Sequence, residues 1–362
     1  MTQSGSILIS KAGDFMKLKK LCALLLATSL LTGCSALDHL TTSSSSTSAV
    51  TSEVSSVTSS SSTSTIVNNF DNEQTSATYT ITFNDNNGGV TTTSVNAGSS
   101  VSEPTDPTKT NYVFNYWATD SSLTTPYDFS DAVTSDTTLY AKYYLDYATV
   151  VNEITAETIK SNVTIYTTSS GFRTSSSSQG SGVIFYETSR YYYALTNNHV
   201  TEAATGSYMT TYRVEDYEGT AYNGSLIYES SDYDLAVVAF AKSRVVDLTI
   251  ASLATTDPSV EEEIIAVGQP EGQLNAITFG KVLEYSTLTL DDSTSSSNVT
   301  FDVIKHSAPL DHGSSGGALY NTNLELVGIN YAGATDTDGS YLYGGAIPIT
   351  KINEFLNNYF WN

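Results

Sequence analysis

The chain has 362 residues, with 38 acidic side chains against 15 basic ones and a net charge of −23. That balance excludes a nucleic-acid partner, because few cations are present to displace counterions from phosphates, and it disfavours electrostatic docking on anionic lipid. Cys22 and Cys34 are the only cysteines, so disulfides, cysteine metal sites and thiol catalysis are excluded from everything after Cys34.

Met16-Lys17-Leu18-Lys19-Lys20 is a basic start, and the apolar run Leu21 to Leu31 that follows is too short to span a bilayer. Leu31-Thr32-Gly33-Cys34 then resembles the lipobox of bacterial lipoproteins. The resemblance implies a signal peptide over residues 1–33 and lipidation of Cys34; residues 1–15 fit no targeting pattern, so Met16 is expected to be the true start. The protein is then expected on the extracellular face of the bacterial cell membrane, tethered by acyl chains. Residues 34–77 are dominated by Ser and Thr. Such a segment buries too little apolar surface to offset its ordering entropy, and it is expected to be a disordered spacer reaching on the order of 35 Å.

Residues 78–145 read as a small β-rich module. Tyr79-Thr80-Ile81-Thr82-Phe83 alternates with period two, as a half-buried strand does. Asn86-Asn87-Gly88-Gly89 marks a hairpin turn. Tyr112 to Trp117 supplies a strand with aromatic core residues, and Asp136 to Tyr143 closes the unit. The turn does not fit a calcium loop, because Asn96 stands where a bidentate Glu is required. The pieces Thr82 to Gly89, Glu103 to Trp117 and Thr138 to Tyr143 resemble the InlB B-repeat, or Listeria–Bacteroides repeat. Asn111 and Asn115 replace its usual glycines, and Tyr143 its tryptophan. The resemblance implies a β-grasp-like module of extracellular bacterial proteins, with a surface ligand as a possible partner.

Residues 146–362 consist of short β-rich runs separated by Gly and Asn turns, which predicts an all-β barrel or sandwich. Glu153 to Lys160 is expected as a short helix, Val163 to Thr167 as a strand and Ser175 to Gln179 as a polar loop. Gly180 to Phe185 and Tyr191 to Thr196 follow as strands. The second runs into Asn197-Asn198-His199-Val200, where the histidine is placed to act as a general base. Asp234 stands at the mouth of the apolar strand Leu235 to Val238, where a buried carboxylate needs a partner. Asp232 is its rival, further from the apolar run. In His312-Gly313-Ser314-Ser315-Gly316-Gly317 the glycines allow main-chain N–H groups to converge beside a hydroxyl. Ser315 is therefore the candidate nucleophile, and the N–H groups of Gly313 and Ser315 are the candidate oxyanion donors. The order His199, Asp234, Ser315 is that of the chymotrypsin triad. His306 and His312 read as exposed loop histidines; no metal and no cofactor is expected.

Gly180-Ser181-Gly182-Val183-Ile184, Thr196-Asn197-Asn198-His199-Val200, Asp234-Leu235-Ala236-Val237, Val267-Gly268-Gln269-Pro270 and Gly313 to Leu319 together resemble trypsin-like serine proteases of the HtrA/Deg branch. Ser314 stands where that branch usually has Asn, and His312 where it has Pro. The resemblance implies two six-stranded antiparallel β-barrels, with His199 and Asp234 from the first and Ser315 from the second. Lys351 to Leu356 reads as the closing helix, with no PDZ domain after it. Pro309 occupies the position of the aspartate that gives trypsin its basic preference, and Gly328-Ile329-Asn330-Tyr331 lacks the histidine of glutamyl endopeptidases. A modest apolar preference remains. The expected function is a lipid-anchored extracellular serine endopeptidase acting on protein or peptide substrates. The alternative is a surface adhesin or scaffold with a catalytically silent protease-like domain.

Overall fold

The computed structural model describes residues 77–243, 246–288 and 297–361. The expected signal peptide, the lipidation of Cys34 and the Ser/Thr-rich spacer lie outside the described residues. Two compact units are present, one around a four-stranded sheet and one around a pair of barrels.

The small unit is a mixed sheet of β1 (Thr78–Asn84), β2 (Val90–Asn96), β3 (Tyr112–Ala118) and β4 (Thr137–Leu145) in the order β2-β1-β4-β3. β1 pairs antiparallel with β2 across the Asn-Gly turn and parallel with β4. The period-two pattern buries Ile81 and Phe83, and Phe83 meets Trp117 edge-to-face with ring centroids 5.0 Å apart. Asn111 has φ 64°, which accounts for glycine in that position of the repeat family. In the β1–β2 turn, the Asp85 carboxylate accepts the main-chain N–H groups of Asn87 and Gly89 at 2.8 and 2.7 Å.

The larger unit opens with helix α1 (Tyr147–Ala156) and a short 3-10 turn, Thr158–Ser161. The expected helix over Glu153 to Lys160 is therefore displaced toward the N-terminus. Asp146 caps α1 by accepting Thr149 N–H, and Val150, Val151 and Ile154 form its buried stripe. The first barrel closes in the order β10-β7-β6-β5-β8-β9 and the second in the order β11-β12-β13-β16-β15-β14. In the first, β5 is Asn162–Ser170, β6 Ser175–Glu187, β7 Tyr191–Thr196, β8 Met209–Glu215, β9 Ala221–Ser230 and β10 Leu235–Ala241. In the second, β11 is Glu263–Gly268, β12 Ala276–Ser286, β13 Val303–His306, β14 Ala318–Asn321, β15 Leu326–Thr335 and β16 Tyr341–Pro348. Every named strand pair in both barrels is antiparallel.

Ser175 to Gln179 is strand, not loop: it extends β6 and pairs with β5 out to Ser170 opposite Ser175. The ladder is made by backbone groups, so an exposed ribbon leaves no apolar alternation to read.

The closing helix α3 (Ile349–Tyr359) buries Ile349, Ile352, Phe355 and Leu356, each worth about 1.5–3 kcal/mol of transfer free energy. Just beyond it, Phe360 stacks edge-on against Phe185 and Tyr193 at 5.1 and 5.3 Å, tying the end of the second barrel to strands of the first. A continuous apolar core joins the barrels, with Val183, Leu195 and Leu235 of the first packed in one cluster with Ile264, Leu319 and Ile347 of the second.

Candidate active site

β7 carries its apolar residues up to Thr196 and then turns into a one-turn helix, α2 (Asn198–Thr201), that presents His199. The imidazole is partly exposed, at 27%, whereas the Asp234 side chain is fully buried. Asp234 sits just before β10 with φ 48°, a left-handed conformation that is uncommon for a residue with a Cβ. Its neighbours hold it there. Asn197 Nδ2 donates to the Asp234 carbonyl at 2.9 Å. His199 donates its main-chain N–H to Asp234 Oδ1 at 3.1 Å, and its ring Nδ1 lies 2.8 Å from Oδ2. A carboxylate at Nδ1 favours the tautomer with the proton there, which leaves Nε2 with a free lone pair. The buried phenol of Tyr331 is pushed up by burial, and the negative charge of Asp234 adds to the effect. The rival Asp232 is exposed.

Ser315 lies on the loop between β13 and β14. Gly313 and Gly316 have φ 95° and 84°, which L side chains rarely adopt. At Gly316 a Cβ would also lie 2.0 Å from the Ser181 carbonyl oxygen, so no larger residue fits. The N–H groups of Ser314, Gly316 and Gly317 donate to the carbonyls of Asp311, Asn330 and Ser314, at 2.9, 2.7 and 2.9 Å. Among the described residues, those of Gly313 and Ser315 have no backbone acceptor. A peptide is planar and trans, so drawing the Ser314 carbonyl toward Gly317 turns the N–H of Ser315 the other way. Ser315 Oγ donates to the Tyr331 carbonyl at 3.5 Å, the long limit of a hydrogen bond, and among the described residues it has no hydrogen bond to the His199 ring. Nucleophile–base contacts are often loose until substrate binds.

His199, Gly313 and Ser315 share one cleft of about 460 Å³ with Leu310, Gly333 and Tyr341. Tyr341 Oη donates to the Ala308 carbonyl at 2.6 Å, which fixes the ring as one wall. Leu310, Tyr341 and the β6 residues Ser178 and Gln179 border this cleft but carry no motif that singles them out in the sequence. Their role follows from the loop and strand ends that meet there. Pro309 does not line this cleft; its carbonyl accepts Thr278 Oγ1 at 2.9 Å.

His306 corrects an expectation. It is not an exposed loop residue but a fully buried member of β13, with Nε2 3.2 Å from Asn330 Oδ1. Burial lowers its pKa to about 4. His312 is exposed, at the rim of the cleft. Among the described residues, no group of three His, Cys, Asp or Glu side chains is placed to hold a metal ion, and no helix is long and apolar enough to cross a membrane.

Both units match known proteins in sequence. Residues 180–329 match the trypsin-like peptidase domain, and residues 79–142 match the Listeria-Bacteroides repeat domain. The serine protease Do-like HtrA of Bacillus subtilis (strain 168) is 33% identical over 178 residues, covering 49% of this chain and 38% of that protein. The periplasmic serine endoprotease DegP of Escherichia coli (strain K12) is 31% identical over 179 residues, covering 49% and 35%. A solved HtrA-type protease with a tripeptide superposes with a TM-score of 0.46 at 25% identity, covering 58% of this chain and 62% of that one. The chain thus spans less than two fifths of the length of these curated relatives. It carries a trypsin-like peptidase domain homologous to that of the HtrA and DegP serine proteases, preceded by a Listeria–Bacteroides repeat.

Proposed function

We propose that the chain is a serine endopeptidase working through His199, Asp234 and Ser315. The observation that carries this reading is the closed His199–Asp234 pair, 2.8 Å between ring and carboxylate, opening on the same cleft as Ser315. In the reaction, Ser315 Oγ attacks the carbonyl carbon of the scissile peptide and gives its proton to His199 Nε2. The buried carboxylate of Asp234 stabilises the imidazolium. The N–H groups of Gly313 and Ser315 take the oxyanion. Collapse of the tetrahedral intermediate breaks the C–N bond as His199 protonates the leaving amine. Water, deprotonated by the same imidazole, then hydrolyses the acyl-enzyme.

Substrates are protein or peptide chains, with a modest preference for an apolar side chain that the apolar lining residues Leu310 and Tyr341 beside Ser315 support. The relatives named periplasmic support action outside the cytoplasm. Lipidation of Cys34 would hold the enzyme at the membrane, with the repeat as a spacer or adhesive module. Incubating the purified protein with casein and mapping the cut sites tests the reading. Cleavage after apolar residues, lost in His199→Ala, is expected; no cleavage of any unfolded protein would favour the silent adhesin instead.

A further inference from the structure

We infer that Ser181 is a positioning residue for the oxyanion loop, acting across the two barrels; the inference rests on the serine-protease reading above. Ser181 lies on β6 of the first barrel and is 1% exposed. Its hydroxyl donates to the Gly313 carbonyl at 2.7 Å and accepts the Gln269 main-chain N–H at 2.8 Å. Its own N–H donates to the Ser315 carbonyl at 2.7 Å. One residue of the first barrel therefore grips the peptide after Gly313 and the peptide after Ser315, both on a loop of the second.

The consequence follows from peptide geometry. Gly313 is free of a Cβ, has φ 95°, and could rotate the plane that follows it at little cost. The Ser181 hydroxyl removes that freedom by binding the Gly313 carbonyl, while the Ser181 N–H holds the Ser315 carbonyl. These two peptides flank the Ser314–Ser315 peptide, which carries the Ser315 donor N–H, and so hold it from both sides. Gln269 orients the hydroxyl in turn, because its N–H occupies one Oγ lone pair and the Oγ proton is directed to the Gly313 carbonyl. Thr196 Oγ1 donates to the Ser181 carbonyl at 2.7 Å, which fixes the backbone on the other side. Oxyanion donors are effective when they are aimed before charge develops, so a loop free to swing would lose transition-state stabilisation while still binding substrate.

The test compares wild type with Ser181→Ala on the full chain, using a fluorogenic peptide, a peptide boronate that forms a tetrahedral adduct with the serine, and the amine-side product peptide, which places no group in the oxyanion hole, as a non-covalent ligand. The expected result is a fall in kcat of roughly 10- to 100-fold, below the loss from deleting a donor outright, with KM changed less than about threefold. Boronate affinity should fall in parallel with kcat while the product peptide binds as before. Ser181→Cys, close in shape but only a weak donor, should fall between the two, and it serves as the readout if Ser181→Ala does not fold. A purely structural role would instead lower the melting temperature and leave kcat and boronate affinity of the folded fraction unchanged. That result, or a change in KM alone, overturns the inference. A wild type that turns over no peptide removes the proposed function itself, and this inference with it; an active wild type with unperturbed variants removes only the inference.

Discussion

Asp234 receives two N–H groups from the same residue, the main chain and the ring of His199, at 3.1 and 2.8 Å. The carboxylate thus fixes both where the imidazole sits and which nitrogen carries its proton. It does so from a left-handed backbone conformation, which costs of order 1–3 kcal/mol and persists where the surroundings hold it.

Asp234→Asn keeps the shape of this pair and removes its charge. An amide can present its N–H to Nδ1, which selects the wrong tautomer. The expected loss in kcat is about 10⁴-fold, with the fold retained by circular dichroism. Stopped kinetics on a fluorogenic peptide measure it, and a loss below tenfold would mean that His199 does not depend on this carboxylate.

Tyr341 lines the cleft beside Ser315. Its hydroxyl is bound to the Ala308 carbonyl, so the ring is held as a wall rather than a mobile flap. Tyr341→Ala should enlarge the cleft and shift the preference toward larger apolar side chains such as Leu or Phe. A series of peptides differing at that single position should show kcat/KM ratios moved by about 10- to 200-fold. An unchanged order of preference would place specificity elsewhere.

His306 makes stability depend on acid. Its pKa falls from 6.5 in the unfolded chain to about 4 in the fold because burial penalises the charged ring. Between those values the unfolded state binds the extra proton, so stability rises with pH. The contribution is complete above about 6.5 and is lost as pH drops through about 4, to the extent of about 3 kcal/mol. Urea unfolding across that window should show the slope, and His306→Gln should flatten it. A variant with the same acid slope would assign the loss to other groups.

The candidate site residues stand out in the sequence more than the elements around them, for a physical reason. Ser315 between glycines, and Asp234 before a strand apolar at every position, are local features that chemistry alone singles out. The strands with a buried face, such as β1 and β7, followed their hydrophobic pattern. Ser175 to Gln179 did not, because its pairing is made by the backbone and both faces stay wet. The start of α1 was missed although Asp146 and Thr149 stood at capping distance, because the apolar stripe there is only three residues long. His306 carries no local sign of its burial, which depends on β13 entering the barrel beside Asn330, a contact 24 positions away. Ser181 was visible only as part of a Gly-Ser-Gly run, since its partners lie 88 and 132 positions along the chain.

The most direct test of the account is covalent labelling by a fluorophosphonate, followed by peptide mapping. The account predicts a single adduct on Ser315 Oγ that forms in wild type, slows sharply in His199→Ala and is absent in Ser315→Ala. A label that persists in Ser315→Ala, or that maps to another of the chain's many serines, would contradict it.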